Sequence, residues 1–468
     1  MNRPGNSASA ARILLCVHQF FPDYSAGTEV LVLSTAKALQ AAGYEVQIVT
    51  GALTDSPEAS SSVTDFQGFT VYRISTPYVR GQFDAQTVVK EYDNPDTSPA
   101  FAAILERYAP DLVHFFHFKN LTLSCLRECF ARSIPTVFTP TDYWLTCRTC
   151  QLLKPWGEPE CAGPQALAGN CLRHILVNTE RHALVRAAKV LPGIVFSTLA
   201  WLLQSPRLPK ATKLQRLATD LKDRKPRIFS HLENIDLLLP PTSSLHATLL
   251  AGGIAPKKIQ PLRYAIEQPA VNHDVIATSA TARPFTVGFI GTLVEHKGCH
   301  VLLSSLKTVQ HRQMDVRIYG SVEHYPAYVQ TLKTMVGDDH RVRFCGTFPS
   351  ADIGNVLSEL DVLVIPSTWR ENAPLVLLNA VASATPVIAS DVVGITEYLD
   401  DADDVSLFPP GDSRRLAQLL DERSQTHIDT RSTSRRAARM AGSSLETYAS
   451  ALDSAYTRLI QRPYDNME

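Results

Sequence analysis

The chain has 468 residues, 45% hydrophobic and 19% charged, which is too long for one ordinary core and too apolar for a disordered chain. Lys and Arg total 45 against 46 Asp and Glu, so no global field draws the protein to nucleic acid, and no nucleic-acid partner is expected. No apolar run reaches the length of about 18 residues that a spanning helix needs, and MNRPGNSASAARILLCVHQFF lacks the uninterrupted apolar region and cleavage site of a signal peptide. The expected location is therefore the cytoplasm, in solution or peripheral at the inner face of the cytoplasmic membrane.

In chain order, ARILLCVHQFF (11–21) reads as a buried strand, PDYSAGTE (22–29) as a loop, and the following stretch as a helix to about Ala42, stopped by Gly43. YEVQIVT (44–50) is the next strand, and the polar segment 51–65 reads as a surface loop. DLVHFFHF (111–118) and IPTVFTPTDYW (134–144) are further strands with polar residues at their C-terminal ends, where open α/β sheets bind ligands. His114 and His117 stand at the first of these ends. Their spacing of three sets them on opposite faces of an ideal strand, so one of the two is expected in the core or facing outward.

Residues 172–240 are helical in pattern and rich in Lys and Arg, with Arg207, Lys210, Lys213, Arg216, Lys222, Arg224, Lys225 and Arg227 clustered there. Within them VLPGIVFSTLAWLL (190–203) is mostly apolar and too short to span a bilayer. It reads as a buried helix kinked near Pro192 and Gly193, or else as an interfacial helix giving peripheral membrane contact.

After a segment without apolar periodicity (268–284), taken as a linker, a second round begins. FTVGFIG (285–291), MDVRIYGS (314–321), RVRFCGTF (341–348), DVLVIPS (361–367) and PVIASD (386–391) are strands; 297–309, 350–360 and the segment from Pro374 are helices. SSLETYASALDSAYTRLI (443–460) is a terminal helix able to cross back over the boundary. The pattern predicts two doubly wound, Rossmann-like α/β domains: 1–267, with a helical and Cys-containing insertion at about 145–235, and 268–468.

The first loop, FFPDYSAGTE, has one glycine and no G-x-G-x-x-G, so a nicotinamide-dependent reading falls. The loop instead resembles the F-x-P…G-G-x-E loop of the retaining nucleotide-sugar glycosyltransferases of family 4, with Ala26 at the first glycine and Gly27 and Glu29 kept. VGFIGTLVEHKG (287–298) resembles that family's G-R/T-L…K-G element, and WRENAPLVLLNA (369–380) its donor-sugar motif of two glutamates with seven residues between them, Glu371 being the first and Asn379 standing in place of the second here. TPTDYWLTC (139–147) resembles its acceptor loop T-x-H-D-Y-W…C, with Thr141 in place of His. The motifs occur in the family's order along nearly the whole chain.

The resemblance implies a GT-B fold, a metal-independent transfer with retention of configuration, and no required cofactor. It implies a nucleoside-diphosphate sugar as donor and a glycan or lipid-linked glycan as acceptor, as in polysaccharide assembly. It also implies the residue roles. Lys297, Glu371 and Asp142 would serve catalysis. Gly27, Thr28, Gly291, Thr292, Asn372, Ala373, Pro374, Leu375 and Asn379 would line the donor, with Asn379 meeting the ribose. His114, His117, Thr141 and Tyr143 would join Asp142 on the acceptor side. The departures at Thr141, Thr292 and Asn379 leave a non-catalytic sugar-nucleotide-binding relative as an alternative, and a hydrolysing nucleotide-sugar epimerase as another.

Nine cysteines without an export signal read as reduced thiols or metal ligands. Cys147, Cys150, Cys161 and Cys171 form C-x2-C-x10-C-x9-C; its close pair has zinc spacing and its distal pair is wider than a standard knuckle. A closed structural zinc site and unligated thiols are the main readings; a thioredoxin-like redox role for CRTC is weaker, because it lies outside the expected strand–helix setting.

Overall fold

The computed structural model describes residues 10–461 apart from 57, 78–84, 156–159, 180–181, 206–211, 268–283, 400–403 and 426–444. The expected linker lies almost wholly outside the described residues. The chain divides into two compact units. The first takes residues up to Pro241, Leu245–Leu262 and the chain from Ala449; the second takes Thr242–Ser244 and Arg263–Tyr448.

The first unit is built on a seven-stranded sheet. Its strands are β1 (Arg12–Val17), β2 (Glu45–Thr54), β3 (Ser60–Phe66), β4 (Phe69–Pro77), β5 (Leu112–Phe115), β6 (Thr136–Phe138) and β7 (Leu237–Leu238), in the order β3-β4-β2-β1-β5-β6-β7. All neighbours are parallel except β3 and β4. β1 is apolar on both faces, with Ile13 to Val17 fully buried, as a central parallel strand covered on both sides must be. The segment expected as a loop at 51–65 instead finishes β2 and forms β3. That strand is polar and almost wholly exposed, which suits a sheet edge that gains pairing on one side only.

The second unit has a six-stranded, all-parallel sheet: β8 (Phe285–Ile290), β9 (Met314–Tyr319), β10 (Val342–Gly346), β11 (Val362–Ile365), β12 (Val387–Ser390) and β13 (Val405–Phe408), in the order β10-β9-β8-β11-β12-β13. In each sheet the winding direction reverses beside the first strand. The switch lies between β1 and β5 in the first unit and between β8 and β11 in the second.

The terminal helix Leu445–Ile460, assigned to the second domain with the expectation that it can cross back over the boundary, belongs from Ala449 with the first unit. Tyr44 Oη donates to Asp453 Oδ1 at 2.7 Å, and Tyr456 Oη lies 2.6 Å from His114 Nδ1. The expected kinked helix at 190–203 is also different. Two helices, His182–Val190 and Gly193–Leu203, meet at 114°, and much of their apolar surface is exposed.

Candidate functional site

At the switch of the second sheet, the chain leaving β8 and the chain leaving β11 bring together one cation and one anion. Lys297 Nζ lies 2.8 and 2.9 Å from the two carboxylate oxygens of Glu371. The Glu371 side chain is almost fully buried, while Lys297 stays partly open. Burial opposes ionisation of Glu371, but the Lys297 charge and hydrogen bonds from Lys297 and Ser367 outweigh it and hold the carboxyl below its usual range. Ser367 Oγ donates to Glu371 Oε1 at 2.5 Å. The Lys297 ammonium also sits 5.3 Å from the centre of the Trp369 ring, which lies 4.6 Å from the ring of His296. Burial and the Lys297 charge push the His296 pKa down to about 4, so that imidazole is neutral at physiological pH.

Two glycines permit this packing. Gly298, at φ +74°, approaches so closely that a Cβ would stand 1.8 Å from Pro366 O. Gly394, at φ +87°, would put a Cβ 2.1 Å from Glu371 O. Neither place admits a side chain, so both loops can lie against the strand ends.

Lys297 was expected to open a helix. It ends a 3-10 turn, Glu295–Lys297, and the helix Cys299–Ser305 starts only after Gly298 turns left-handed. Pro374 was expected inside the first helical turn. Its ψ of 118° is extended, so it is the N-cap of the helix Leu375–Ala382. Ala373, just before it, is left-handed at φ 57°. The Asn372 side chain is spent on packing: Oδ1 accepts from Thr242 Oγ1 and Nδ2 donates to Tyr264 Oη. Asn379 Nδ2 donates to Leu375 O at 2.8 Å, so one of its amide donors is engaged on its own helix. Gly291 and Thr292 directly follow β8, with Gly291 N–H bonded to Tyr319 O.

The switch of the first sheet gathers a second group. His117 Nδ1 accepts the Lys119 backbone N–H at 2.9 Å, which leaves the proton on Nε2, 3.0 Å from Asp142 Oδ2. Asp142 Oδ1 accepts the Trp144 N–H at 2.7 Å, so this carboxylate caps its turn and orients His117 together. Burial opposes its ionisation, but His117 and that N–H hold its pKa below the ordinary value. Thr141 Oγ1 donates to Phe116 O.

Two expected acceptor-side residues lie elsewhere. Tyr143 is fully buried. His114 is fully buried in β5 between Tyr456 Oη and Thr139 Oγ1, and burial lowers its pKa to about 3. His114 is thus a core histidine because its strand position faces the terminal helix.

His18, which sequence reasoning passed over, packs its ring 4.4 Å from that of His117 and sets Nε2 3.8 Å from Glu29 Oε1. Glu29 is fully buried, its carboxylate oxygens have no hydrogen-bond partner of normal geometry, and burial pushes its pKa up to about 7. The available signal was positional: His18 is the first residue after β1. Gly27 and Thr28 form the first turn of the helix Gly27–Ala41, whose N-cap, Ala26, offers no side-chain cap.

Among the described residues, the group of possible metal ligands whose atoms all lie within 4.8 Å of one another is His117, Asp142 and Cys150. The sulfurs of Cys147, Cys150, Cys161 and Cys171 do not form such a group, so the four-thiolate zinc reading lacks the convergence that a tetrahedral ion demands, and the unligated-thiol reading fits better. Cys161 instead hydrogen-bonds Gly163 O, and Cys147 meets Thr149 Oγ1. Beside this loop the first unit encloses a cavity of about 680 Å³, lined in part by Lys119, Trp144, Arg148, Arg224 and Lys225. Arg224 is buried, donates from Nη2 to Trp144 O at 2.7 Å, and keeps Nε and Nη1 without partners.

Two doubly wound, Rossmann-like units match the GT-B fold, and solved structures share it. HepE of Anabaena, in complex with UDP and glucose, superposes with a TM-score of 0.59 over 96% of this chain and 99% of its own, at 17% identity. Sucrose-phosphate synthase of Thermosynechococcus elongatus gives 0.60 over 96% and 99%, at 18% identity. Residues 26–192 match the glycosyl transferase 4-like domain, and residues 284–423 match the group 1 glycosyl transferases. The chain is similar to the amylovoran biosynthesis glycosyltransferase AmsK of Erwinia amylovora, 28% identical over 44% of this chain and 50% of AmsK. It is also similar to the putative colanic acid biosynthesis glycosyltransferase WcaL of Salmonella typhimurium, 26% identical over 42% and 49%. The matched region thus spans about half the length of these curated relatives.

Proposed function

We propose that the protein is a retaining glycosyltransferase that moves a sugar from a nucleoside-diphosphate sugar to a glycan or lipid-linked glycan acceptor in cell-surface polysaccharide assembly. The observation that carries this reading is the Lys297–Glu371 pair at the switch of the second sheet, inside the stretch matching the group 1 glycosyl transferases. An ammonium there is placed to neutralise a departing diphosphate, and a buried carboxylate beside it to accept sugar hydroxyls. AmsK and WcaL, named for amylovoran and colanic acid biosynthesis, support the polysaccharide setting, and the UDP and glucose bound by HepE support the donor class.

In this reading the bond from the anomeric carbon to the diphosphate oxygen breaks through an oxocarbenium-like transition state. The acceptor oxygen bonds to the same face of that carbon, and its proton passes to the departing phosphate oxygen. Lys297 shares its charge between Glu371 and that phosphate, and the family resemblance implies a step without a metal ion. The cavity of the first unit, with Lys119 and Lys225 at its wall, suits an acceptor bearing an anionic group.

Incubation with a panel of nucleoside-diphosphate sugars tests the reading, with free nucleoside diphosphate and glycosylated product as readouts. Lys297→Ala and Glu371→Ala are each expected to lower kcat/KM for the donor by about 100-fold or more. Unchanged kinetics in both would overturn the site, and donor binding without product from any acceptor would overturn the activity.

A further inference from the structure

Half of the large hydrophobic side chains exposed among the described residues lie between positions 184 and 202. Val190 is 82% exposed, Ile194 70% and Trp201 60%, and the first two flank the elbow where the helices His182–Val190 and Gly193–Leu203 meet at 114°. Leu191 and Val195 extend the same apolar surface.

The elbow is held firmly from beneath. Arg173, on the helix Gly169–Val177, donates to Ala188 O at 2.7 Å and Lys189 O at 3.2 Å, and its guanidinium lies 5.3 Å from the centre of the Phe196 ring. Phe196 and Ala188 are buried against Val177. Gly169 packs so closely on the second helix that a Cβ there would stand 2.8 Å from Ser197 N. One face is thus fixed to the first unit, while the opposite face presents Val190, Leu191 and Ile194 to water. Exposed apolar area of this kind marks a surface that is covered in use.

Charge identifies the cover. Between residues 181 and 219 the sequence has seven Lys and Arg and no Asp or Glu, in a chain whose formal net charge is −1. Arg186 and Lys189 are exposed on the first helix, as are Lys213 and Arg216 on the helix Lys213–Leu232. A second copy docked here would set like charges against each other. An anionic lipid surface satisfies both features, taking apolar side chains at its acyl boundary and cations at its headgroups. Helices of nine and eleven residues reach only about 14 and 17 Å, far short of the roughly 30 Å of hydrocarbon, and they meet at 114°, so neither is long enough to cross a bilayer.

We propose that the elbow of residues 182–203 docks the protein on an anionic lipid bilayer, with Val190, Leu191 and Ile194 inserted and Arg186, Lys189, Lys213 and Arg216 against the headgroups. This goes beyond the glycosyltransferase reading and stands or falls without it, since the test contains no sugar donor.

The full chain is mixed with vesicles of phosphatidylcholine alone, or of phosphatidylcholine with phosphatidylglycerol, and sedimented. Binding is expected to the phosphatidylglycerol vesicles and to weaken with salt. Emission should shift to the blue on binding, and Trp201→Phe should remove most of that shift. Val190→Asp with Ile194→Asp should lower the partition coefficient by about tenfold or more with the melting temperature kept, because both side chains are exposed. Arg186→Glu with Lys189→Glu should abolish the preference for phosphatidylglycerol. Three results would overturn the proposal: no sedimentation with either vesicle, sedimentation equal in wild type and both double variants, or dimerisation through the elbow without vesicle binding.

Discussion

Lys297 and Glu371, 74 residues apart in sequence, form a two-point ion pair across the switch of the second sheet, with Nζ 2.8 and 2.9 Å from the two carboxylate oxygens. The chain leaving β8 supplies the cation and the chain leaving β11 the anion, so strand order alone makes them neighbours.

That pair sets a stability expectation. Lys297→Met leaves the buried Glu371 carboxylate without its counter-charge and should cost about 3 kcal/mol, read by urea denaturation. Adding Glu371→Gln should recover at least about 1 kcal/mol by removing the stranded charge. Because the Glu371 pKa is depressed, the pair's contribution is complete above the ordinary Glu value of about 4.3 and is lost as pH falls below it.

Glu29 should behave in the opposite sense. Its folded pKa is raised to about 7, so the folded state holds a proton that the unfolded chain has released. Stability from this group is complete below about pH 4.3 and is lost as pH rises through about 7. Glu29→Gln should therefore raise the melting temperature at about pH 8 and have little effect at about pH 4. Melting curves at the two pH values check it.

Gly298→Ala should be severely destabilising. The position combines φ +74° with a Cβ site 1.8 Å from Pro366 O, so both backbone strain and a clash with main chain arise. A loss of about 3 kcal/mol or more is expected in denaturation. Gly43→Ala provides a control, because φ is +93° there and nothing lies within 4 Å of the added carbon.

His114 ties the terminal helix to the first sheet. Tyr456→Phe removes the 2.6 Å bond to Nδ1 and should cost about 1 kcal/mol. His114 stays neutral when folded, with a pKa near 3, whereas the unfolded chain takes up a proton near pH 6.5. Stability should therefore fall as pH drops from about 6.5 toward 3, and His114→Asn should flatten that slope in denaturation at several pH values.

Much of this was legible in the residues. The apolar runs that became β1, β5, β8, β11 and β12 announce themselves because strands covered on both faces have no polar alternation to confuse the reading. β3 was not legible: its polar residues read as a loop, and only pairing with β4 makes them a strand. The 190–203 segment shows a different limit. Its hydrophobicity suggested burial, yet burial depends on what packs over a helix, and here only one face is covered.

The sequence by itself determined two doubly wound units and the loops that carry Lys297, Glu371, His117 and Asp142, because periodicity and strand-end polarity are local properties. Only the tertiary structure decided how these residues are used. It paired Lys297 with Glu371, set His18 against His117, turned His114 into the core toward Tyr456, committed Asn372 to packing, and left the elbow's apolar face open. Each outcome depends on contacts between residues far apart in the chain, and strand order and packing, not local spacing, fix those contacts.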